Sequence, residues 1–326
     1  MRQLDKGMYQ LDLPVADPIG QVYAYLIVAD KITLIDVGVA TKESEEALEH
    51  QLAEIHLSKD DIDQIILTHH HYDHWSGIQF FPNDIKIYLH PRFYKVSQMD
   101  KHHSHITREA LENFIKKLGF PKYYSGENLQ VFQVASYHLP FPNLHVVKDG
   151  DIIPHTNGLK VMEIPGHATT QIALISEEKN IAFSADALIH NQNLSVWLEQ
   201  KLPEDSSRLR FMPAYIKTLE RLREQRFSKL YPGHGMDIVE IDEQIDMKLA
   251  YLEKKKEKVL KQIQVNETQT PWEIYSKLYS KRFIERFLTL TFAETFGILD
   301  LLHEEGKIAL NESVTPFQVK RRVDDI

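Results

Sequence analysis

The stretch that most constrains this chain is Thr68-His69-His70-His71-Tyr72-Asp73-His74-Trp75-Ser76-Gly77. It sets four imidazoles and a carboxylate within six residues, directly after Ile65-Ile66-Leu67. A short β-branched run bounded by polar residues reads as a buried strand. Side chains alternate along an extended chain, so His69 and His71 share one side and His70 takes the other. Asp73 and His74 follow where the chain turns, and Trp75 to Phe81 reads as a helix. Neutral imidazoles together with a carboxylate are ligands that a borderline cation such as Zn²⁺ takes. Isolated histidines are ordinarily solvated, but this spacing at a strand exit points to metal.

The chain has 326 residues, enough for one large domain and a small one. With 43% hydrophobic and 26% charged residues it is ordinary for a globular protein, and its net charge of −9 argues against a general polyanion binder. There is no cysteine. That removes a disulfide framework, a thiolate metal site and a cysteine nucleophile together. Met1-Arg2-Gln3-Leu4-Asp5-Lys6 lacks an apolar core before a small-residue cleavage site, and no run approaches the roughly 18 apolar residues of a membrane span. The expectation is a cytoplasmic protein without a membrane segment.

Strands are expected over 8–13, 21–29, 32–37, 64–68, 85–89 and 159–164, with a hairpin over 171–176 and 180–184 and a short strand at 229–231. Helices are expected over 42–55, 107–118 and 211–227, the second capped by Thr107 and stopped at Gly119. Residues 91–142 read as a less regular insert rich in aromatics and prolines, a candidate lid or pocket wall. His102, His103 and His105 within it read as a solvated cluster beside Lys101. Beyond residue 240 the pattern becomes helical. Ile245, Leu249, Leu252, Val259 and Ile263 stripe one helix, Thr270-Pro271-Trp272-Glu273 is a capping box, and another helix covers about 283–303. Residues 307–310 and 314–319 are placed to pair as a hairpin.

His69-x-His71-x-Asp73-His74 matches the signature of the metallo-β-lactamase superfamily, and the chain resembles that family in four further motifs, in order. They are Leu34-Ile35-Asp36-Val37-Gly38, Ile164-Pro165-Gly166-His167, Phe183-Ser184-Ala185-Asp186 and Tyr231-Pro232-Gly233-His234. The resemblance covers roughly residues 20 to 240. It implies an α/β fold, the αββα sandwich, as a catalytic domain over 1–240 with the insert at 91–142. The helical tail over 241–326 resembles the winged-helix-like domain of some members. It also implies two divalent metal ions, zinc first, with iron or manganese as alternatives. His69, His71 and His167 would hold one; Asp73, His74 and His234 the other; Asp186 would bridge them. Asp36 would orient a ligand imidazole, and His70 would not be a ligand.

The activity implied is hydrolysis of an ester, thioester or lactone carbonyl by a metal-bridging hydroxide, with Asp73 orienting it. The substrate would be a small molecule. A phosphodiesterase or endoribonuclease is the alternative, because two metals also serve in-line phosphoryl displacement. The acidic net charge disfavours a nucleic-acid partner, and the tail's lysines and arginines match no glutathione-binding pattern. An iron oxidoreductase is a further alternative, and a regulator that only senses through this site is a fourth.

Overall fold

The computed structural model describes residues 1–16, 20–98, 103–124, 141–192, 196–199, 202 and 205–322, without the side chains of 103–108, 110, 111 and 124. The chain divides into two compact units. One comprises 1–99, 137–191 and 218–245, the other 100–136, 192–217 and 246–326.

The first unit is built on two sheets. The larger orders its strands β1 (Arg2–Asp5), β2 (Met8–Val15), β3 (Gly20–Val28), β4 (Ile32–Ile35), β5 (Gln64–Ile66), β6 (Lys86–Leu89) and β7 (Leu144–Val146) side by side. Pairing is antiparallel as far as β4 and parallel from there to β7. Strands β5 and β6 are short and apolar, as parallel strands covered on both faces must be. The smaller sheet comprises β8 (Lys160–Glu163), β9 (Ile172–Ser176), β10 (Ile181–Ala185) and β11 (Lys229–Pro232), in the order β11-β10-β9-β8.

Met8, Tyr25, Ile27, Ile35, Ile66 and Tyr88 from the larger sheet share one buried cluster with Val161, Ile172, Leu174, Phe183 and Tyr231 from the smaller. The two sheets therefore pack face to face as a sandwich. Helix α1 (Lys42–Ala53) lies against β2, where Gln51 accepts from Asp12 N and donates to Asp12 O, both at 2.9 Å. Thr41 caps α1 by accepting from Ser44 N. On the smaller sheet, helix α5 (Phe211–Gln225) contributes Thr218, whose hydroxyl donates to Pro165 O, and Arg221, which donates to Glu163 O.

The helical reading of the metal motif differs in register from the expectation. Helix α2 is one turn, Tyr72–Trp75, and continues as a 3₁₀ turn over Ser76–Phe80. Asp73 and His74 are thus inside a helix: the strand ends at Ile66, and a linker that bends at His70 leads into Tyr72. Helix α3 (Pro91–Ser97), within the expected irregular insert, begins with Pro91 after the cap His90. Helix α4 (His103–Leu118) starts four residues before the expected cap Thr107.

The second unit contains α4, the later part of α6 (Ile241–Gln262), α7 (Pro271–Leu278), α8 (Lys281–Glu304) and the antiparallel hairpin β12 (Ile308–Asn311) with β13 (Gln318–Arg321). Thr270 and Glu273 form the capping box of α7. Phe292 centres the packing, with ring contacts to Phe120, Trp272 and Tyr275. Two buried acidic groups lie here. Asp300 binds Arg208 through both of its oxygens, and Arg208 also reaches Glu312 and covers the Phe296 ring. Glu294 takes Lys255 at 3.0 Å and the Tyr251 hydroxyl. His102, His138, Phe132, Tyr137 and Pro140 lie outside the described residues, as do the side chains of His103 and His105.

Candidate metal centre

Strand β4 ends where Asp36 takes a left-handed conformation, φ +58°, which aspartate tolerates better than most residues. Its carboxylate accepts three hydrogen bonds: from Thr68 N at 2.8 Å, from the Thr68 hydroxyl at 2.7 Å and from His74 Nδ1 at 2.8 Å. The Thr68 hydroxyl, having given its proton to Asp36, is free to accept from His69 Nδ1 at 3.0 Å. In both rings Nδ1 is thereby taken up as a hydrogen-bond donor, and Nε2 is the nitrogen turned to the site. His234 is set the same way, with Nδ1 donating to Gln21 O at 2.6 Å. Its loop is fixed to β3 by two more bonds, Tyr23 N to Gly233 O at 2.8 Å and Tyr25 hydroxyl to Pro232 O at 2.5 Å.

Asp186 follows Ala185, which has φ +45° at a break in the β10–β11 register. Alanine rarely adopts this conformation, and the strain accompanies the aiming of Asp186. Gly233 is required by space: a Cβ there would overlap Asp186 Oδ1 and lie 2.6 Å from His74 Cε1.

All seven residues named as metal ligands from the sequence come together, and all are buried. The nitrogens His69 Nε2 and His167 Nε2 lie 3.1 and 2.8 Å from His71 Nδ1. Asp186 stands between the two histidine sets, with Oδ2 3.4 Å from both His167 Nε2 and His234 Nε2 and Oδ1 3.6 Å from His74 Nε2. Asp73 Oδ2 is 3.3 Å from His234 Nε2 and 3.9 Å from His74 Nε2. Among the described residues, three groups offer converging ligand atoms within 4.8 Å of one another: His69, His71 and His167; His69, His74 and Asp186; Asp73, His74 and His234. His70 faces elsewhere, with Nδ1 2.7 Å from Thr170 Oγ1.

Burial holds the His69 and His71 imidazoles well below their usual range, and the neighbouring rings add to this. Burial also opposes charge on His74, but Asp186, Asp73 and Asp36 overrule it and raise that ring well above the usual value. His234 is raised to about 10 in the same way by Asp186 and Asp73. Against burial, His234 and His74 hold the Asp186 carboxyl well below the carboxylate range, and Asp73 is also lowered. The cluster is thus divided between neutral imidazoles and carboxylates that draw positive charge.

Divalent cations fit these residues. His74 Nε2 and Asp186 Oδ1 are buried side-chain atoms with no hydrogen-bond partner, and such atoms need a reason in a native fold. A ring nitrogen and a carboxylate oxygen set 3.6 Å apart leave room for a cation that replaces the ring proton between them, and nitrogen and oxygen donors suit zinc, iron or manganese. Sequence reasoning missed Thr68, Gln21, Tyr23 and Tyr25 as parts of the surroundings. Thr68 alone had a local signal, its place before the motif; the other three act from a distant strand.

The profile described as "Metallo-beta-lactamase superfamily" matches residues 17–234. A curated relative, the "Probable metallo-hydrolase YqjP" of Bacillus subtilis (strain 168), is 28% identical over 297 residues, covering 91% of this chain and 92% of the relative. Among solved structures, a metallo-beta-lactamase family protein from Thermus thermophilus is similar with a TM-score of 0.77 at 24% identity, covering 98% of this chain and 100% of its own. A beta-lactamase domain protein from Burkholderia ambifaria gives a TM-score of 0.70 at 16% identity, over 98% and 94% of the two chains. These two likenesses are of fold. A sandwich carrying a buried histidine and aspartate cluster, beside these relatives, defines the class as a metal-dependent hydrolase. The chain belongs to the metallo-beta-lactamase superfamily. Among the described residues, no helix is long and apolar enough to cross a membrane.

Proposed function

We propose that this protein is a dinuclear hydrolase of an ester, thioester or lactone carbonyl in a small-molecule substrate. The observation that carries the reading is the pair of buried atoms without hydrogen bonds, His74 Nε2 and Asp186 Oδ1, facing each other inside a cluster of five imidazoles and two carboxylates. His69, His71 and His167 would hold one cation, Asp73, His74 and His234 a second, and Asp186 would lie between them. Zinc is the metal we favour. When bound, such ions polarise a carbonyl and lower the pKa of water to about 7.

The chain's own groups supply the rest. Asp36 fixes the His74 proton on Nδ1, so that Nε2 remains a donor to the site. Gln21 O does the same for His234. Asp73, whose Oδ2 lies between His74 and His234, is placed to accept a hydrogen bond from the attacking water and orient it. The reading includes a cytoplasmic location. It also includes a catalytic domain over 1–240 followed by a winged-helix-like domain over 241–326, supported by the order of helices and hairpin there.

The test is elemental analysis of protein prepared without a metal-binding tag, followed by a panel of esters, thioesters, lactones and a phosphodiester, with Asp186→Ala as control. The expected result is about two equivalents of metal per chain and carbonyl hydrolysis that the control lacks. One equivalent of iron, or turnover of the phosphodiester alone, would overturn the reading.

A further inference from the structure

His70 lies within the metal motif yet points away from the site, and its surroundings give it a different task. Its ring is buried, with Nδ1 2.7 Å from the Thr170 hydroxyl, and its backbone N–H donates to the same oxygen at 3.2 Å. Thr170 is itself 1% exposed. Two residues earlier, Thr68 O accepts from Ile172 N at 2.9 Å. Stepping from 68 to 70 on one segment and from 172 to 170 on the other keeps an antiparallel register. The Thr170 hydroxyl therefore stands where a backbone carbonyl would accept the next rung. It can accept the His70 N–H and give its own proton to Nδ1. His70 O in turn accepts from Trp75 Nε1 at 3.0 Å, which ties the linker to α2. On the partner segment, Arg92 Nε donates to the Thr169 hydroxyl at 3.0 Å.

The two segments stitched in this way belong to different sheets, one leaving β5 and the other entering β9. The first carries His69 and His71, the second His167. We propose that Thr170 and His70 are positioning residues that set the separation of these three imidazoles, and hence the affinity of one cation of the pair. The inference rests on the dinuclear reading above. It gives His69, His71 and His167 a support that the other set lacks: Asp36 reaches His74 directly and His69 through Thr68, whereas this side-chain rung serves the first set alone.

The experiment uses the full chain. Zinc alone is the probe, titrated by chelator competition into wild type, Thr170→Val and Thr170→Ser, with amide hydrogen exchange of each metal-free protein over 68–72 and 166–172. Thr170→Val is expected to weaken one zinc equivalent by about tenfold, the low end of what loss of a direct hydrogen-bond partner of a ligand costs, since Thr170 acts through the segment and not on a ligand ring. The other equivalent should change less than about twofold, by the same locality of outer partners. Exchange should quicken in both segments, and Thr170→Ser, which keeps the hydroxyl, should restore both readouts. Unchanged binding with unchanged exchange in Thr170→Val would overturn the proposal, as would failure of Thr170→Ser to rescue. Equal loss of both equivalents together with a fall in Tm would also overturn it, since that is general unfolding. If wild type takes up no zinc, the dinuclear reading fails on its own account, and the exchange measurement still decides whether the rung holds the segments together.

Discussion

The two units bury carboxylates in opposite ways. In the second, Asp300 and Glu294 are closed by permanent internal cations, Arg208 and Lys255, with further hydrogen bonds from Arg208 to Glu312 and from Tyr251 to Glu294. In the first, among the described residues, Asp73 and Asp186 are paired with imidazoles, and Asp186 Oδ1 and His74 Nε2 face each other at 3.6 Å without a hydrogen bond. Removing charge from water costs several kcal/mol per ion unless it is compensated. A structural pair carries its compensation in the sequence. A ligand site leaves part of it to be supplied from outside, and the buried atoms without hydrogen bonds mark which part.

If this contrast is right, the largest effect belongs to Asp186. Asp186→Asn keeps shape but removes the charge placed between the two histidine sets. It is expected to lower kcat/KM by at least about a thousand-fold, since even an outer partner of a ligand is worth about 10–100-fold, while leaving Tm nearly unchanged. Elemental analysis and steady-state kinetics on the same sample check this. Asp300→Ala should do the reverse. It leaves Arg208 buried with Glu312 as its remaining carboxylate and should cost about 3–5 kcal/mol in denaturant unfolding, as breaking a buried pair does, with metal content retained.

Lys248 sharpens the contrast as a third case. It is buried, has no carboxylate partner among the described residues, and donates to Gln192 O at 2.6 Å. Burial lowers its ammonium to about 8. The unfolded chain, with an ordinary lysine, then binds more protons than the folded one between about pH 8 and pH 10.4, so stability should rise with pH across that window. The rise attributable to Lys248 is about 2–3 kcal/mol at most. In Lys248→Met it should vanish, measured as the pH dependence of unfolding free energy for both proteins. The smallest effect is expected from Asp36→Asn, which keeps an acceptor for Thr68 but weakens the hold on His74. A loss of about 10–100-fold in affinity for one metal equivalent, read by chelator competition, is the outcome; an unchanged affinity would break the link between Asp36 and the site.

Much of this was legible in the sequence for a physical reason. The metal motif, Asp186 and His234 follow strand ends, where a local pattern of apolar run and polar exit fixes direction. The sandwich strands, the α7 capping box and the terminal hairpin were also readable from local chemistry, although the hairpin strands close over a longer loop than the one expected. What was not legible is either a matter of ends or of distance. The single turn of α2 starts three residues before the expected helix because tertiary contacts, including Val37 N to His74 O at 2.8 Å and His74 Nδ1 to Asp36, hold it in place of propensity. Strand β1 and strand β7 are short and partly exposed, and carry little periodic signal. Gln21, Tyr25 and Thr170 reach the site across tens to hundreds of residues, and no spacing rule records such a pairing.

The left-handed turn at Ala185 has one further consequence. A glycine would take the same dihedral without the roughly 1–2 kcal/mol that an L side chain incurs there, against about 0.5–1 kcal/mol lost to a freer unfolded chain. Selection for heat resistance alone would therefore be close to indifferent between the two residues, or tilt toward glycine. Selection for a fixed carboxylate would not, because glycine at 185 frees the hinge that aims Asp186. At this one position a screen for thermostability and a screen for turnover would pull the sequence apart.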